Sequence, residues 1–123
     1  MIYYGEITLE QIAYSVSQKF ELSIYEMFKT TRKKHIVNAR QMFCYMARIN
    51  TKHSFQEIAD YITKKGLRVG EYDHASVLHS VNKISDYVMQ YPEDYRNAKK
   101  IEWDLKEKTN YLIVSDVNLL KSI

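Results

Sequence analysis

Glycine and proline are scarce in this chain, and that scarcity constrains the fold more than any other feature. The 123 residues contain three glycines and one proline. An all-β sandwich or barrel needs turn residues about every 8 to 12 positions. Helices exclude both residues from their interiors, and segments such as 34–50 contain neither. We therefore expect an all-α protein.

The composition indicates one globular domain. Apolar residues make up 46% and charged residues 27% of the chain, which is ordinary for a soluble protein. We expect one domain over residues 1–112 and a tail over residues 113–123, whose sequence suits a strand, a short helix or a frayed end. No segment approaches the roughly 20 apolar residues of a membrane span, so we expect a soluble, cytoplasmic protein. Cys44 is the single cysteine, and in an apolar helix it is expected to be an inert core residue.

Capping signals and apolar periodicity predict six helices. Serine or threonine followed three residues later by glutamate or glutamine marks three helix starts, at Thr8, Ser23 and Ser54. Asp73 is a suitable N-cap for a fifth helix that ends before Pro92. The predicted segments are residues 8–19, 22–30, 34–50, 54–66, 73–91 and 93–112.

The third and fifth predicted helices differ in how they are expected to pack. The third is apolar on nearly every side, which is typical of a central, buried helix. The fifth has one apolar face, formed by Val77, Val81, Ile84 and Val88. Its start and open side are expected to carry His74, Ala75, Ser76, His79, Ser80 and Lys83.

Basic residues are concentrated in one part of the chain. Residues 29–53 contain seven of the 18 lysines and arginines and no Asp or Glu. A run of this kind suits either a solvated helix face or a surface that binds a polyanion.

Three segments follow one another in an order known from one bacterial family. They are Arg32 with the Asn-Ala-Arg-Gln-Met run at 38–42, the Thr-Lys-His-Ser-Phe-Gln-Glu-Ile run at 51–58, and the Asp-His-Ala-Ser-Val-Leu-His run that begins at Asp73. Over about residues 6–105 the chain resembles the C-terminal DNA-binding domain of the replication initiator DnaA. The resemblance implies a Trp-repressor-like helical bundle with a helix-turn-helix, here with an added C-terminal helix, that binds a short AT-rich box in duplex DNA.

The resemblance also implies roles for single residues. Arg32 would enter the minor groove, and the helix from Asp73 would enter the major groove through Asp73, His74 and Ala75. Ser76 and His79 would meet phosphates or base edges, and the other matched positions would grip phosphates or lie beside the DNA. The candidate DNA-contacting residues are Arg32, Lys33, Lys34, Arg40, Gln41, Arg48, His53, Ser54, Asp73, His74, Ala75, Ser76, His79 and Lys83.

The turn between the two helices departs from the family pattern. It is about seven residues longer, and Gly70-Glu71-Tyr72 stands where the family has Gly-Gly-Arg. The missing arginine removes attraction for DNA, and Lys64, Lys65 and Arg68 are candidates to replace it. We expect an altered sequence preference.

Other chemistries find little support in the sequence. His74 and His79 are five residues apart, a poor spacing for two metal ligands on a helix, and we expect no metal, no cofactor and no enzymatic activity. The 123 residues contain no phosphate-binding Gly-x-x-x-x-Gly-Lys-Ser/Thr motif, so ATP hydrolysis is not expected. Of the 11 tyrosines, Tyr14, Tyr25, Tyr45 and Tyr61 fall at expected core positions, which makes single-strand binding by stacking a weak alternative.

Two functional hypotheses follow. The first is a sequence-specific duplex-DNA-binding module in replication initiation, its control or transcription, with replication proteins as possible partners; a detached module of this kind would suit a mobile element. The second is a protein-interaction module of the same fold, with weak or non-specific DNA binding. The oligomeric state is expected to be a monomer or a weak dimer, with the C-terminal segment folded back on the domain.

Overall fold

The computed structural model describes residues 6–121 and the side chains of residues 6–107. Six helices occur in this part of the chain, and no strand does. The expectation of an all-α fold is therefore confirmed. The helices are α1 (Leu9–Lys19), α2 (Ile24–Phe28), α3 (Lys34–Asn50), α4 (Phe55–Lys65), α5 (His74–Gln90) and α6 (Pro92–Lys121).

The helix starts follow the predicted caps. Thr8, Ser23 and Ser54 each form a complete capping box, in which the side-chain oxygen accepts from the N–H three residues on and the glutamine or glutamate there accepts in return. Asp73 caps α5, and Gly66 ends α4. These caps satisfy backbone groups that a helix end otherwise leaves unpaired.

Helix α3 is the centre of the bundle, as its sequence predicts. It contacts all five other helices. Its buried apolar residues are Ile36, Ala39, Met42, Phe43, Cys44, Met46 and Ala47. The rings of Phe43, Phe28 and Tyr61 meet within 6 Å and join α3 to α2 and α4.

Helix α5 packs through the expected face, with one addition. Val77 and Ile84 are buried, and Val81 and Val88 pack against the core. Ser80 is only 2% exposed, so its expected place on the open side was wrong. Its hydroxyl donates to the Ser76 carbonyl at 2.9 Å, which lets a polar side chain lie within the packed face.

Helix α6 is longer than the sequence suggested. Pro92 is its first residue, where the missing N–H costs no hydrogen bond, and the helix continues to Lys121, into the segment that could have been a strand or a frayed end. Ala98, Ile101 and Leu105 are buried in the core. We expect residues 113–123 to fold back on the domain, but their side chains lie outside the described part of the structure. In the described part of the chain, no helix has both the length and the hydropathy needed to cross a membrane.

The tyrosines divide between core and surface. Tyr45 and Tyr61 pack against the core as expected. Tyr14 and Tyr25 do not, because each is about half exposed. Their helices, α1 and α2, each have a buried side and an exposed side, and periodicity alone does not distinguish a core position from a boundary position.

Candidate nucleic-acid interface

Helices α4 and α5 form a helix-turn-helix pair. They pack directly against each other, and α5 also packs along α3. A loop of residues 66–72 joins α4 to the N-cap of α5. The predicted arrangement of the pair is therefore present, with an enlarged turn.

The start of α5 presents polar groups to solvent. Asp73, His74 and Ala75 are exposed, Ser76 is partly exposed, and His79 is exposed one turn further on. Asp73 Oδ1 accepts from the Ser76 N–H at 2.8 Å, and this backbone hydrogen bond lowers the pKa of Asp73. The carboxylate is therefore ionised at neutral pH and acts only as an acceptor.

The start of α4 lies beside the end of α3. The Arg48 guanidinium stands over the Phe55 ring at 5.0 Å, which places an exposed cation next to the N-terminus of α4. His53 Nδ1 lies 3.1 Å from the Glu57 carboxylate, and Ser54 Oγ accepts from the Glu57 N–H. Arg48, His53 and Ser54 thus all lie at the junction between the end of α3 and the start of α4.

A second group of cations lines a groove of about 840 Å³ between α3, α5 and the start of α6. Arg32, Lys34 and Lys83 all border this groove, although Lys83 is about 50 residues away in sequence. Lys19, at the end of α1, borders it as well and was missed by the sequence reasoning, since nothing in its local sequence marks it. Glu93 and Asp94 add negative charge on the α6 side.

Arg40 and Gln41 do not lie open to a phosphate, contrary to expectation. They are only 6% and 7% exposed. Arg40 donates from Nε to the Met27 carbonyl at 3.1 Å and from Nη2 to the Lys29 carbonyl at 2.8 Å. Burial lowers the pKa of Arg40. The physical reason is the central place of α3, whose neighbours cover positions that its sequence alone leaves open.

The cations at the end of α4 and in the enlarged turn are largely engaged within the protein. Arg68 Nη1 donates to the Phe28 carbonyl at 3.0 Å, and its guanidinium lies 5.0 Å from the centre of the Tyr72 ring. Lys65 pairs with Glu10 at 3.5 Å. Lys64 is exposed and takes part in no ion pair among the described residues. Of the three candidate replacements for the missing arginine, Lys64 is thus the one least engaged by the protein.

The turn is fixed at both ends and open in the middle. The Arg68 N–H donates to the Thr63 carbonyl, and the Tyr72 N–H donates to Thr63 Oγ1 at 2.9 Å. Leu67 adopts a left-handed backbone conformation with φ of 48°, which is unfavourable for a leucine. Leu67 and Val69 expose large aliphatic side chains to solvent.

Cys44 is a buried core residue, as predicted. Burial raises the pKa of its thiol to about 12, so the reactive thiolate is scarce at neutral pH. Among the described residues, no group of three or more His, Cys, Asp or Glu is arranged to hold a metal ion.

Known proteins resemble this chain over the region that contains the helix-turn-helix pair. The family model of the bacterial DnaA protein helix-turn-helix matches residues 9–84. The chain is 32% identical over 102 residues to the chromosomal replication initiator protein DnaA of Bordetella pertussis, covering 83% of the chain and 20% of that relative. It is 34% identical over 83 residues to the DnaA of Flavobacterium psychrophilum, and 33% over 96 residues to that of Bartonella quintana. These matches cover 68% and 78% of the chain, and 16% and 17% of the two relatives. The chain therefore spans about a fifth of the length of the curated relatives it matches.

Proposed function

The chain belongs to the bacterial DnaA helix-turn-helix family, and on that premise we propose that it binds duplex DNA at an initiator-box-like sequence. In this proposal the start of α5 enters the major groove, and Arg32 enters the adjacent minor groove. The binding serves replication initiation or its control.

The observation that carries the proposal is the exposed start of α5. A carboxylate, an imidazole and a methyl group stand next to one another at Asp73, His74 and Ala75, at the end of a helix that a packed bundle supports. In a major groove, an ionised carboxylate accepts from the amino group of cytosine, and a methyl group packs on the methyl of thymine. The start of α5 therefore offers groups that distinguish base pairs.

The cationic groups support the same docking. Arg32 is exposed and precedes α3 by two residues. An arginine suits the narrow minor groove of AT-rich DNA, where negative potential is concentrated. Arg48 beside the start of α4, and Lys34 and Lys83 beside Arg32, are the cations that we assign to phosphates.

The test is fluorescence anisotropy with a duplex that carries a DnaA-type box and a scrambled duplex of equal composition, at two salt concentrations. We expect the wild-type protein to prefer the box by more than about tenfold, or about 1.4 kcal/mol. Arg32→Ala and His74→Ala are expected to weaken box binding by about 1 to 3 kcal/mol each.

Lys33→Ala is the matched control, because Lys33 is exposed next to Arg32 and is assigned to a phosphate. It is expected to weaken binding to both duplexes alike and to lower the salt dependence. Equal losses on both duplexes for all three variants would contradict sequence-specific readout.

The exposed aliphatic side chains of the turn favour a second candidate function. Leu67 is 77% exposed and Val69 is fully exposed, although exposing large aliphatic side chains to water is unfavourable. They suit a protein partner, such as another replication protein. Elution from heparin at low salt, with no preference between the two duplexes, would favour this function over DNA binding.

A further inference from the structure

Two arginines from distant parts of the chain cap the same helix end. The last carbonyls of a helix lack partners within the helix. At the end of α2, Arg40 donates to the carbonyls of Met27 and Lys29, and Arg68 donates to the carbonyl of Phe28 between them. Three successive carbonyls are thus satisfied by one guanidinium from α3 and one from the enlarged turn.

Tyr72 joins both arginines to α4 and α5. The centre of its ring lies 5.0 Å from Cζ of Arg68 and 6.0 Å from Cζ of Arg40. Its N–H donates to Thr63 on α4, and its hydroxyl lies 3.4 Å from Ser80 Oγ on α5. We refer to Arg40, Arg68 and Tyr72 as the arginine–tyrosine anchor.

The anchor lies between the two segments assigned to the two DNA grooves. Tyr72 immediately precedes Asp73, the N-cap of α5. Lys29, whose carbonyl Arg40 holds, lies three residues before Arg32. The start of α5 and the segment that carries Arg32 are therefore both attached to the same cluster of side chains.

We propose that the arginine–tyrosine anchor fixes the position of Arg32 relative to the start of α5, so that the two can read adjacent grooves of one duplex. Arg40, Arg68 and Tyr72 are then positioning residues for sequence readout, and none of them contacts DNA. This proposal rests on the proposed function.

The physical reason is geometric. Hydrogen bonds to base edges require side chains placed to within about 0.5 Å, and two contacts in different grooves require a fixed spacing between their supports. The segment from residue 29 to residue 33 links α2 to α3, and helical hydrogen bonds hold its two ends: the Lys29 N–H donates to the Tyr25 carbonyl, and the Lys33 carbonyl accepts from the Val37 N–H. The anchor adds a side-chain attachment on the α2 side of this segment, at the Lys29 carbonyl.

The main test compares Arg68→Met with Lys64→Met in the full chain, on the box and scrambled duplexes at two salt concentrations. Each change removes one positive charge near the end of α4, but only Arg68→Met breaks the anchor. We expect Arg68→Met to lower the preference for the box about tenfold, the effect of one weakened base contact. Its binding to the scrambled duplex and its salt dependence should stay those of the wild type. Lys64→Met should keep the wild-type preference for the box.

A double variant tests whether the anchor acts through Arg32. If Arg68→Met displaces Arg32, then Arg32 contributes less to box binding in that variant, and replacing it with alanine costs less affinity. The combined loss of Arg32→Ala and Arg68→Met should then be smaller than the product of the two single losses. Multiplicative losses would show that the two residues act independently and would overturn the proposal.

Hydrogen exchange without DNA separates the failure of this proposal from the failure of the proposed function. We expect the amides of Lys29 and Lys33, which donate to the Tyr25 carbonyl and to Thr31 Oγ1, to exchange faster in Arg68→Met than in Lys64→Met. If the wild type shows no preference for the box, the proposed function fails, and exchange still decides whether the anchor holds this segment. Unchanged exchange would overturn the anchor.

Two DNA results would also overturn the proposal. One is an unchanged box preference in Arg68→Met. The other is an equal loss on both duplexes with a weaker salt dependence, because that pattern indicates a direct phosphate contact by Arg68. If Arg68→Met does not fold, Tyr72→Leu, which removes the ring near both guanidiniums, takes its place in the same comparison.

Discussion

Gly66 occupies a position where a side chain would overlap the backbone of α2. A Cβ atom placed on it would lie 2.3 Å from the Phe28 carbonyl oxygen. Since that oxygen already accepts from Arg68, it is held in place and cannot move aside without loss. The glycine is therefore required for space, and its φ of −83° shows that no unusual backbone conformation is involved.

Gly66→Ala is expected to lower the free energy of unfolding by about 1 to 3 kcal/mol, because the overlap is with backbone atoms. Urea denaturation followed by circular dichroism measures the change. Gly70→Ala is the matched control: among the described residues, no atom beyond its two chain neighbours lies within 4 Å of its Cβ position, and we expect a change within about 0.5 kcal/mol. Equal effects of the two changes would contradict the close approach seen at Gly66.

Asp73, the N-cap of α5, has two separable roles. Asp73 accepts a hydrogen bond from the Ser76 N–H, which stabilises the helix start. Its charged carboxylate is also the group that we assign to a base contact. A serine at this position keeps the cap and removes the charge. Stability and readout can therefore be measured separately.

Asp73→Ala is expected to lower the free energy of unfolding by about 1 kcal/mol, whereas Asp73→Ser should stay within a few tenths. Thermal and urea denaturation of both variants give the comparison. If Asp73→Ser were as unstable as Asp73→Ala, the carboxylate itself, rather than the cap, would be the stabilising feature.

Most helices of this protein could be predicted from sequence because their signals are local. A capping box needs residues only three positions apart, and Thr8, Ser23 and Ser54 all form one. The burial of Arg40 depends on carbonyls more than ten residues away, and the place of Arg68 on one 40 residues away. No local pattern contains that information. The sequence could therefore predict which cations are candidates for DNA contact, but it could not show which of them donate hydrogen bonds within the protein.

The core of this protein extends beyond the region that matches the family model. That match ends at residue 84, within α5. Helix α6 nevertheless contributes Ala98, Ile101 and Leu105 to the core and contacts α1, α3 and α5. The helix-turn-helix of this chain is thus supported by a helix outside the matched residues.

Ile101→Ala is expected to lower the free energy of unfolding by about 2 to 5 kcal/mol, because it leaves a cavity in the core. Trp103→Ala, two residues away on the same helix, is the control, since that side chain is 67% exposed. Its effect should stay within about 0.5 kcal/mol. A small effect of Ile101→Ala would mean that α6 is dispensable for the fold.

The two hydrogen bonds that Thr63 makes with the turn have a consequence for how this protein could be altered. The backbone N–H groups of Arg68 and Tyr72 both donate to Thr63, so residues 69–71 form a short loop whose two ends are held at the same residue. The length of a loop closed in this way affects its entropy only weakly. Residues inserted between Val69 and Glu71 should therefore leave both helices in place, which makes this position suitable for grafting an epitope or a fluorophore.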